Sequence, residues 1–468
     1  MTELLGALPL AAAERSPDAQ ALKAGRRSCS YAELAAAVRD FAGGLLALGV
    51  GRQDRVAVYA DKSIEAVTAL FGTALAGCVM VPVNPLLKPE QLAYILRDCG
   101  VVALVTTSTR LAGLGPDLPS CPELRHVVQL DDSESRAEED GRPGPLVHRF
   151  ADLLRAGAGR PGTQHRVIDQ DMAAILYTSG STGNPKGVVL SHRNMVAGAH
   201  SVASYLGNHA EDRILALLPL SFDYGFSQLT TGFLSGATVV LHNYFLPMDT
   251  LRVMARERIT GLAAVPPLWI QLAALDWPEG TADSLRYFTN SGGAMPTATL
   301  ERLRRLAPRA LPYLMYGLTE AFRSTYLPPE EIDRRPTSMG RAIPNAEILV
   351  VREDGTECAV NEPGELVHRG VLVALGYWND PDKTAERFRP LPGQRPELVL
   401  PEMAVWSGDT VRRDEDGFLY FVSRRDEMIK TSGYRVSPTE VEEAVYRTGL
   451  VAEVAALGIP HPVLGQAI

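Results

Sequence analysis

RVAVYADKSIEAVTALFGTALAGCVMVPV, Arg55 to Val83, holds two short apolar runs, Arg55 to Ala60 and Val79 to Val83, around a helix-like stretch from Ser63 to Ala76. The same grammar extends outward. A helical stretch, Ser30 to Leu48, precedes it, and a helix-like Lys88 to Asp98 and a β-rich Val101 to Thr107 follow. Strands alternating with helices of this length imply a mostly parallel sheet covered on both faces. Further strands are expected at Asp171 to Tyr177, Arg213 to Leu218, Ala237 to Leu241, Gly261 to Val265, Leu285 to Asn290 and Leu311 to Tyr316. That pattern predicts two αβ sheet units in sequence.

Beyond about Ser338 the texture becomes short β-like runs, Glu347 to Val351, Gly364 to His368 and Gly417 to Phe421, separated by Gly, Asp and Pro turns. A small barrel or meander is expected there. Polar residues Ser423 to Glu427 then lead to a helix-like Pro438 to Tyr446 and a strand-like Val454 to Leu457. The expected α/β fold is therefore a large region, 1–424, with its β-rich part at about 338–424. A hinge at 425–427 and a partial αβ C-terminal domain at 428–468 complete it.

The chain has 468 residues, more than one hydrophobic core usually organises, so two or more lobes are expected. Its formal charge of −9 is spread along the sequence, which argues against a nucleic-acid partner. Cys29, Cys78, Cys99, Cys121 and Cys358 form no C-x-x-C pair and read as buried, inert thiols. The N-terminus has no basic stretch before an apolar run, and no apolar run approaches the ~18 residues that would span a bilayer. A soluble cytoplasmic protein is expected.

Tyr177-Thr-Ser-Gly-Ser-Thr-Gly-Asn-Pro-Lys-Gly187 is the strongest local signal. Glycines 180, 183 and 187 let backbone N–H groups turn toward an anion. The hydroxyls of Thr178, Ser179, Ser181 and Thr182 can donate to phosphate oxygens, and Lys186 adds a cation. A flexible surface turn explains any one of these residues but not their combination. The stretch is not a Walker loop, because Pro185 stands where G-x-x-x-x-G-K-[ST] requires its second glycine.

YTSGSTGNPKGVVLSH resembles the signature of the adenylate-forming superfamily, which joins acyl-CoA synthetases, adenylation domains of nonribosomal peptide synthetases, and luciferases. Other stretches resemble the family's motifs in its own order. Asn290-Ser-Gly-Gly-Ala294 is similar to the loop lining the acyl and adenine pockets. Tyr316-Gly-Leu-Thr-Glu320 is similar to the segment contacting adenine and magnesium, and Trp406-Ser-Gly-Asp409 to the ribose-binding segment. Tyr420 to Arg435 looks like the hinge segment.

The resemblance implies an enzyme that uses ATP and Mg²⁺ to convert a carboxylic acid to an acyl-AMP. The acyl group then passes to coenzyme A or to the phosphopantetheine of a carrier protein. It implies catalytic roles for Thr178, Lys186 and Glu320, with Glu320 also the Mg²⁺ ligand. The nucleotide would meet Thr178, Ser179, Gly180, Ser181, Thr182, Gly183, Lys186, Gly292, Gly293, Ala294, Tyr316, Gly317, Thr319, Asp409, Phe421 and Arg424. Asp409 can accept the ribose hydroxyls, and Tyr316 offers a flat face to a purine. The acyl pocket would take Phe222, Asp223, Asn290, Ser291, Gly292 and Gly317; Asp426 would be the hinge, and Gly433 would line the thiol channel.

Two departures stand out. Family members usually continue several dozen residues past the point matching Ile468 and carry there a lysine that orients the reacting groups; Lys430 is a different lysine. Truncation of a longer protein is the expectation. Ser423 stands where a glycine normally precedes the arginine. His192, after Ser191, is assigned no role beyond a helix cap.

Substrate class is open at this point. Asp223, in Pro219-Leu-Ser-Phe-Asp-Tyr-Gly225, could neutralise a substrate ammonium or simply begin the following helix. Tyr316 to Phe388 resembles ligases encoded with exosortase-associated exopolysaccharide systems and, more distantly, prolyl carrier-protein ligases. The readings are an acyl-CoA ligase, an aminoacyl carrier-protein ligase, and a noncatalytic ATP-binding remnant.

Overall fold

The computed structural model describes residues 4–131, 144–160, 166–178, 185–424, 429–431, 434–436, 438–451, 453–461 and 465–468. The chain divides into two units, Met1–Phe245 with Ala374–Lys383, and Leu246–Val373 with Thr384–Ile468.

In the first unit, eight strands form one sheet in the order Gly376–Tyr377, Lys186–Ser191, Met172–Thr178, Val79–Pro82, Arg55–Tyr59, Val101–Thr106, His126–Gln129, Leu146–Arg149. Its middle is parallel, and Met172–Thr178 and Lys186–Ser191 pair antiparallel at one end. Helix starts follow local capping chemistry. Ser30 accepts from the Glu33 amide at 3.2 Å while the Glu33 carboxylate accepts from the Ser30 amide at 2.7 Å, opening helix Tyr31–Ala47. Ser63 likewise caps Ile64–Leu75. The helices bury aromatic rings together, Phe71 lying 5.6 Å from Phe226 and 5.0 Å from Phe233.

The expectation of two sheet units in sequence is corrected here. The N-terminal strands Gln20–Ala24 and Arg27–Ser30 join Thr238–Leu241 and Arg213–Ala216, so an element from the start of the chain completes a sheet formed some 200 residues later. A parallel pairing over that distance leaves no periodic trace in sequence.

In the second unit, strands Gly261–Ala264, Tyr287–Asn290 and Leu311–Tyr316 run parallel, and Thr325–Leu327 and Arg341–Ala342 extend them antiparallel. The β-rich region is an antiparallel sheet of Ala346–Val351, Gly364–Gly370, Met403–Arg413, Phe388–Pro390 and Leu419–Arg424. Pro438–Tyr446 is a helix as expected. The strand placed at Val454 to Leu457 is irregular chain instead, and Ile459–His461 forms the strand. The expected strand Arg213 to Leu218 also stops early, at Ala216.

Burial of ordinary polar groups has a measurable consequence. His192 is fully buried, and its Nδ1 accepts the Leu5 amide at 3.1 Å, so it anchors the N-terminal segment while Ser191 does the capping. Burial pushes the His192 pKa down to about 4 and that of His368 down to about 3. Each folded value lies below the ordinary 6.5, so the stability from a neutral imidazole is complete above pH 6.5 and is lost as pH falls through the folded value. The melting temperature is therefore expected to drop between pH 6.5 and about 4, with each histidine contributing up to about 3 kcal/mol. His192→Gln should flatten that slope; an unchanged slope would mean the imidazole is not held neutral.

The five cysteines are free thiols, four buried and Cys29 half-buried. Burial raises Cys29 to about 11 and Cys78 and Cys99 to about 12, so these three stay protonated and unreactive at neutral pH.

Candidate active site

The two ends of the Ser/Gly/Thr motif form the base of an antiparallel hairpin, where Thr178 and Lys186 are register partners. Ser179, Gly180, Ser181, Thr182 and Gly183 lie outside the described residues, as do Asp426 and Gly433. The hairpin base is fastened to Asp98 and Trp378, which lie outside the motif. The Tyr177 hydroxyl donates to Asp98 Oδ2 at 2.5 Å, the Trp378 indole donates to the Asp98 carbonyl at 2.9 Å, and the Trp378 amide donates to the Gly187 carbonyl at 2.7 Å. Burial first, then the neighbouring Cys99 and Asp98, push the Tyr177 phenol far above its usual range, so it stays a donor.

Gly187 needs a different explanation from the one its motif suggests. It sits inside strand Lys186–Ser191, where a Cβ would lie 2.7 Å from Ile175 Cγ2 and 3.3 Å from Trp378 Cβ. Close packing against Ile175 and Trp378 requires the glycine. The Lys186 ammonium lies 5.7 Å from the centre of the Tyr377 ring.

Phe222 and Asp223 also belong to the first unit. Phe222 is exposed and precedes helix Asp223–Ser235, whose first residue is Asp223. A carboxylate there complements the helix N-terminus. A Cβ on Gly225 would meet the Pro219 carbonyl oxygen at 2.0 Å, so the preceding turn packs directly on the helix.

In the second unit the motifs follow adjacent parallel strands, which brings their loops to one sheet edge. Asn290 ends Tyr287–Asn290 and its side-chain amide donates to the Gly293 carbonyl at 2.9 Å. Gly292 adopts φ +80°, and Gly292, Gly293 and Ala294 are exposed. Trp269 supports this edge from within, its indole donating to the carbonyls of Ala264 and Thr289 at 3.0 Å each. Arg323, fully buried, donates to Ser291 Oγ at 3.2 Å, and a Cβ on Gly317 would meet Arg323 Cα at 3.2 Å. Thr319 and Glu320 occupy a 3₁₀ turn, Thr319–Ala321, just before this arginine.

Tyr316, Asp409, Arg424 and Phe421 converge. The Tyr316 hydroxyl donates to Asp409 Oδ2, and Arg424 Nε lies 3.4 Å from Asp409 Oδ1 across a register pair. Burial and the Asp409 carboxylate hold the Tyr316 phenol well above its ordinary range. Asp409 is only 6% exposed, and its own amide is held by Ser407 Oγ at 3.1 Å. Tyr316 and Phe421 both pack on the cluster formed by Ile348, Val350, Leu366 and Val411. This set sits on two strands of the antiparallel sheet and one of the parallel sheet, which explains why only motif order, and no spacing rule, connects its members in sequence.

Among the described residues no group of three or more His, Cys, Asp or Glu side chains could hold a metal ion. Mg²⁺ bound with a nucleotide needs no such group, because this ion usually takes one or two protein carboxylates together with substrate phosphates. Glu320, a half-buried carboxylate, offers such a ligand. No helix among the described residues is long and apolar enough to cross a membrane.

Comparison with known proteins places this geometry. The AMP-binding enzyme family matches residues 10–378. The chain belongs to that family, within the adenylate-forming superfamily, and is an enzyme of the AMP-forming ligase class. It is 30% identical to a long-chain-fatty-acid–CoA ligase of Salmonella typhimurium over 90% of this chain and 76% of that protein. It is 31% identical to the indoleacetate–CoA ligase of Aromatoleum aromaticum over 94% and 82%. It is also 32% identical to a linear gramicidin synthase polypeptide of Brevibacillus parabrevis, over 95% of this chain but only 5% of that protein. Among solved structures, the anthranilate CoA ligase AuaEII in complex with anthranoyl-AMP superposes with a TM-score of 0.87 at 25% identity, covering 99% of this chain and 87% of the other. ATP-bound MatB from Rhodopseudomonas palustris gives 0.83 at 26% identity, covering 100% and 87%.

Proposed function

We propose that the chain activates a carboxylic acid with ATP to an acyl-AMP and transfers the acyl group to the thiol of coenzyme A. The observation that carries this reading is the Tyr316, Asp409 and Arg424 cluster, a buried carboxylate with a hydrogen-bonded phenol and an exposed guanidinium 3.4 Å away. It suits a ribose: carboxylate oxygens accept from vicinal hydroxyls, and the bonds from the phenol and the guanidinium do not exhaust their lone pairs. Gly292, Gly293, Ala294 and Gly317 leave backbone edges open for the base. Similarity to CoA ligases and to an ATP-bound neighbour supports the assignment.

In the proposed reaction the acid's carboxylate attacks the α-phosphorus and pyrophosphate leaves; the thiol then displaces AMP. Lys186 and the hydroxyl of Thr178 hold the departing phosphates at the hairpin base, where fixed charge stabilises what develops. Mg²⁺ held by Glu320 would supply further neutralisation of phosphate charge. Phe222, Asp223, Asn290, Ser291, Gly292 and Gly317 are proposed as the acyl-pocket residues. Asp426 is proposed as the hinge between a large 1–424 region and the residues from 428 onward, and Gly433 as a lining of the thiol path.

A second reading, activation of an amino acid and transfer to a carrier-protein pantetheine, is favoured by one observation: the Asp223 carboxylate beside Phe222, together with similarity to a linear gramicidin synthase. Carboxylate-dependent ATP–pyrophosphate exchange separates the two. It should be run on this chain and on a version carrying any coding sequence that follows Ile468, with decanoate, benzoate and L-proline. Exchange with amine-free acids is the expected result. Exchange confined to proline and abolished in Asp223→Asn would select the second reading, and silence from every preparation would sink both.

A further inference from the structure

We propose that Lys62 is a positioning residue for the acyl substrate: its ammonium caps the carbonyls of Leu217 and Leu218 and so fixes the turn that presents Phe222 and Asp223. The inference rests on the reading of Phe222 and Asp223 as acyl-pocket residues.

Lys62 lies between strand Arg55–Tyr59 and helix Ile64–Leu75, and nothing in its sequence context marks it. Its Nζ donates to the Leu217 carbonyl at 3.0 Å and to the Leu218 carbonyl at 3.3 Å. Its backbone is locked in both directions by Asn243, whose Oδ1 accepts the Lys62 amide at 3.1 Å and whose Nδ2 donates to the Lys62 carbonyl at 3.2 Å. Leu217 and Leu218 are buried, and the strand before them has ended at Ala216, so the ladder does not hold their carbonyls. A buried carbonyl without a donor is costly, and an ammonium makes the stronger, charge-assisted bond. On the far side of the turn, the Pro219 carbonyl packs against Gly225 so closely that no side chain fits. The turn is thus pinned by Lys62 at its start and by the helix at its end, and Phe222 and Asp223 lie between.

Burial lowers the Lys62 pKa to about 8, with Asp61 opposing the shift. Asp61 itself is paired with Arg110 at 3.2 Å. The other titratable groups on the segments that Lys62 touches are Asp223, Tyr224, His242 and Tyr244. A neutral amine donates more weakly, so the grip on the turn should loosen above pH 8. Because the folded value lies below the ordinary 10.5, the folded protein releases this proton first, and the Lys62 contribution to stability rises between about pH 8 and 10.5. A loss of acid affinity in that window is therefore not unfolding at this residue.

The test is steady-state pyrophosphate exchange, with whichever of decanoate, benzoate or L-proline supports it, for wild type, Lys62→Met, Lys62→Arg and Phe222→Ala. Lys62→Met is expected to raise the KM for the acid about tenfold and to leave the KM for ATP within about twofold. In wild type the acid KM should climb above pH 8; in Lys62→Arg that limb should vanish, and because this variant retains Asp61, Asp223, Tyr224, His242 and Tyr244 the limb then belongs to Lys62. If Lys62→Met does not fold, the pH comparison between wild type and Lys62→Arg decides alone. An unchanged acid KM in Lys62→Met beside a raised one in Phe222→Ala would overturn the proposal and leave the pocket reading intact. If neither variant moves it, the pocket reading fails and takes the proposal with it. A parallel rise in both KM values with a lowered melting temperature would reduce Lys62 to a structural prop.

Discussion

Lys186→Ala is expected to slow pyrophosphate exchange by about two to three orders of magnitude, the loss that follows when one fixed charge is removed from a site where phosphate charge develops. The side chain stands opposite Thr178 at the hairpin base, with its ammonium near the Tyr377 ring. The backbone pairing does not need the side chain, and Tyr177, Asp98 and Trp378 fasten the hairpin independently. The melting temperature should therefore stay within about 2 °C of wild type, consistent with a half-exposed polar position. Exchange rates that survive the substitution would remove Lys186 from the phosphate site. A large fall in melting temperature would instead make the lysine a structural member of the hairpin.

Asp409→Asn is expected to raise the KM for ATP about ten- to a hundredfold while moving the acid KM little. Asparagine keeps the volume and can still accept the Tyr316 hydroxyl, but it loses the charge that pairs with Arg424 and the second strong acceptor for a ribose diol. Asp409 is buried but Arg424 is exposed, so the Tyr316 bond is shielded from salt while the ion pair is screened by it. Tyr316→Phe removes the same bond from the other side and should give a smaller, same-direction effect of about three- to tenfold. Binding of a fluorescent ATP analogue checks both without turnover. Equal ATP affinity in all three proteins would mean that the cluster only braces the sheet.

Elements with local rules were legible. Ser30 and Ser63 announce helices because a hydroxyl accepts the orphan amides of the first turn, and both helices begin one residue later. The run Val101 to Thr107 is apolar as far as Val105 because that strand is buried on both faces, and the strand observed, Val101–Thr106, agrees. Leu311–Tyr316 and Pro438–Tyr446 match their expected bounds. Other segments misled. Val454 to Leu457 has strand-like composition, yet pairing partners decide strands, and the partner of Gly465–Ala467 is Ile459–His461. Leu217 and Leu218 continue an apolar run, but their carbonyls turn to a lysine more than 150 residues away.

The residue types at the candidate site show the same division. Hydroxyls, glycines and a lysine packed between Tyr177 and Gly187 announce phosphate chemistry by themselves, because few other tasks need that many donors in so short a span. A carboxylate such as Asp409 carries no such signature alone. Its meaning comes from Tyr316, 93 residues earlier, and from Arg424 on the next strand. Composition and short-range order therefore settle what a segment can form and what it can bind, since capping, periodicity and donor density act over a few residues. Which segments meet is decided only by folding. The N-terminal strands find Thr238–Leu241, Trp378 finds Asp98, and Lys62 finds two carbonyls, because burying polar groups far apart in the chain is tolerable only when each reaches a partner.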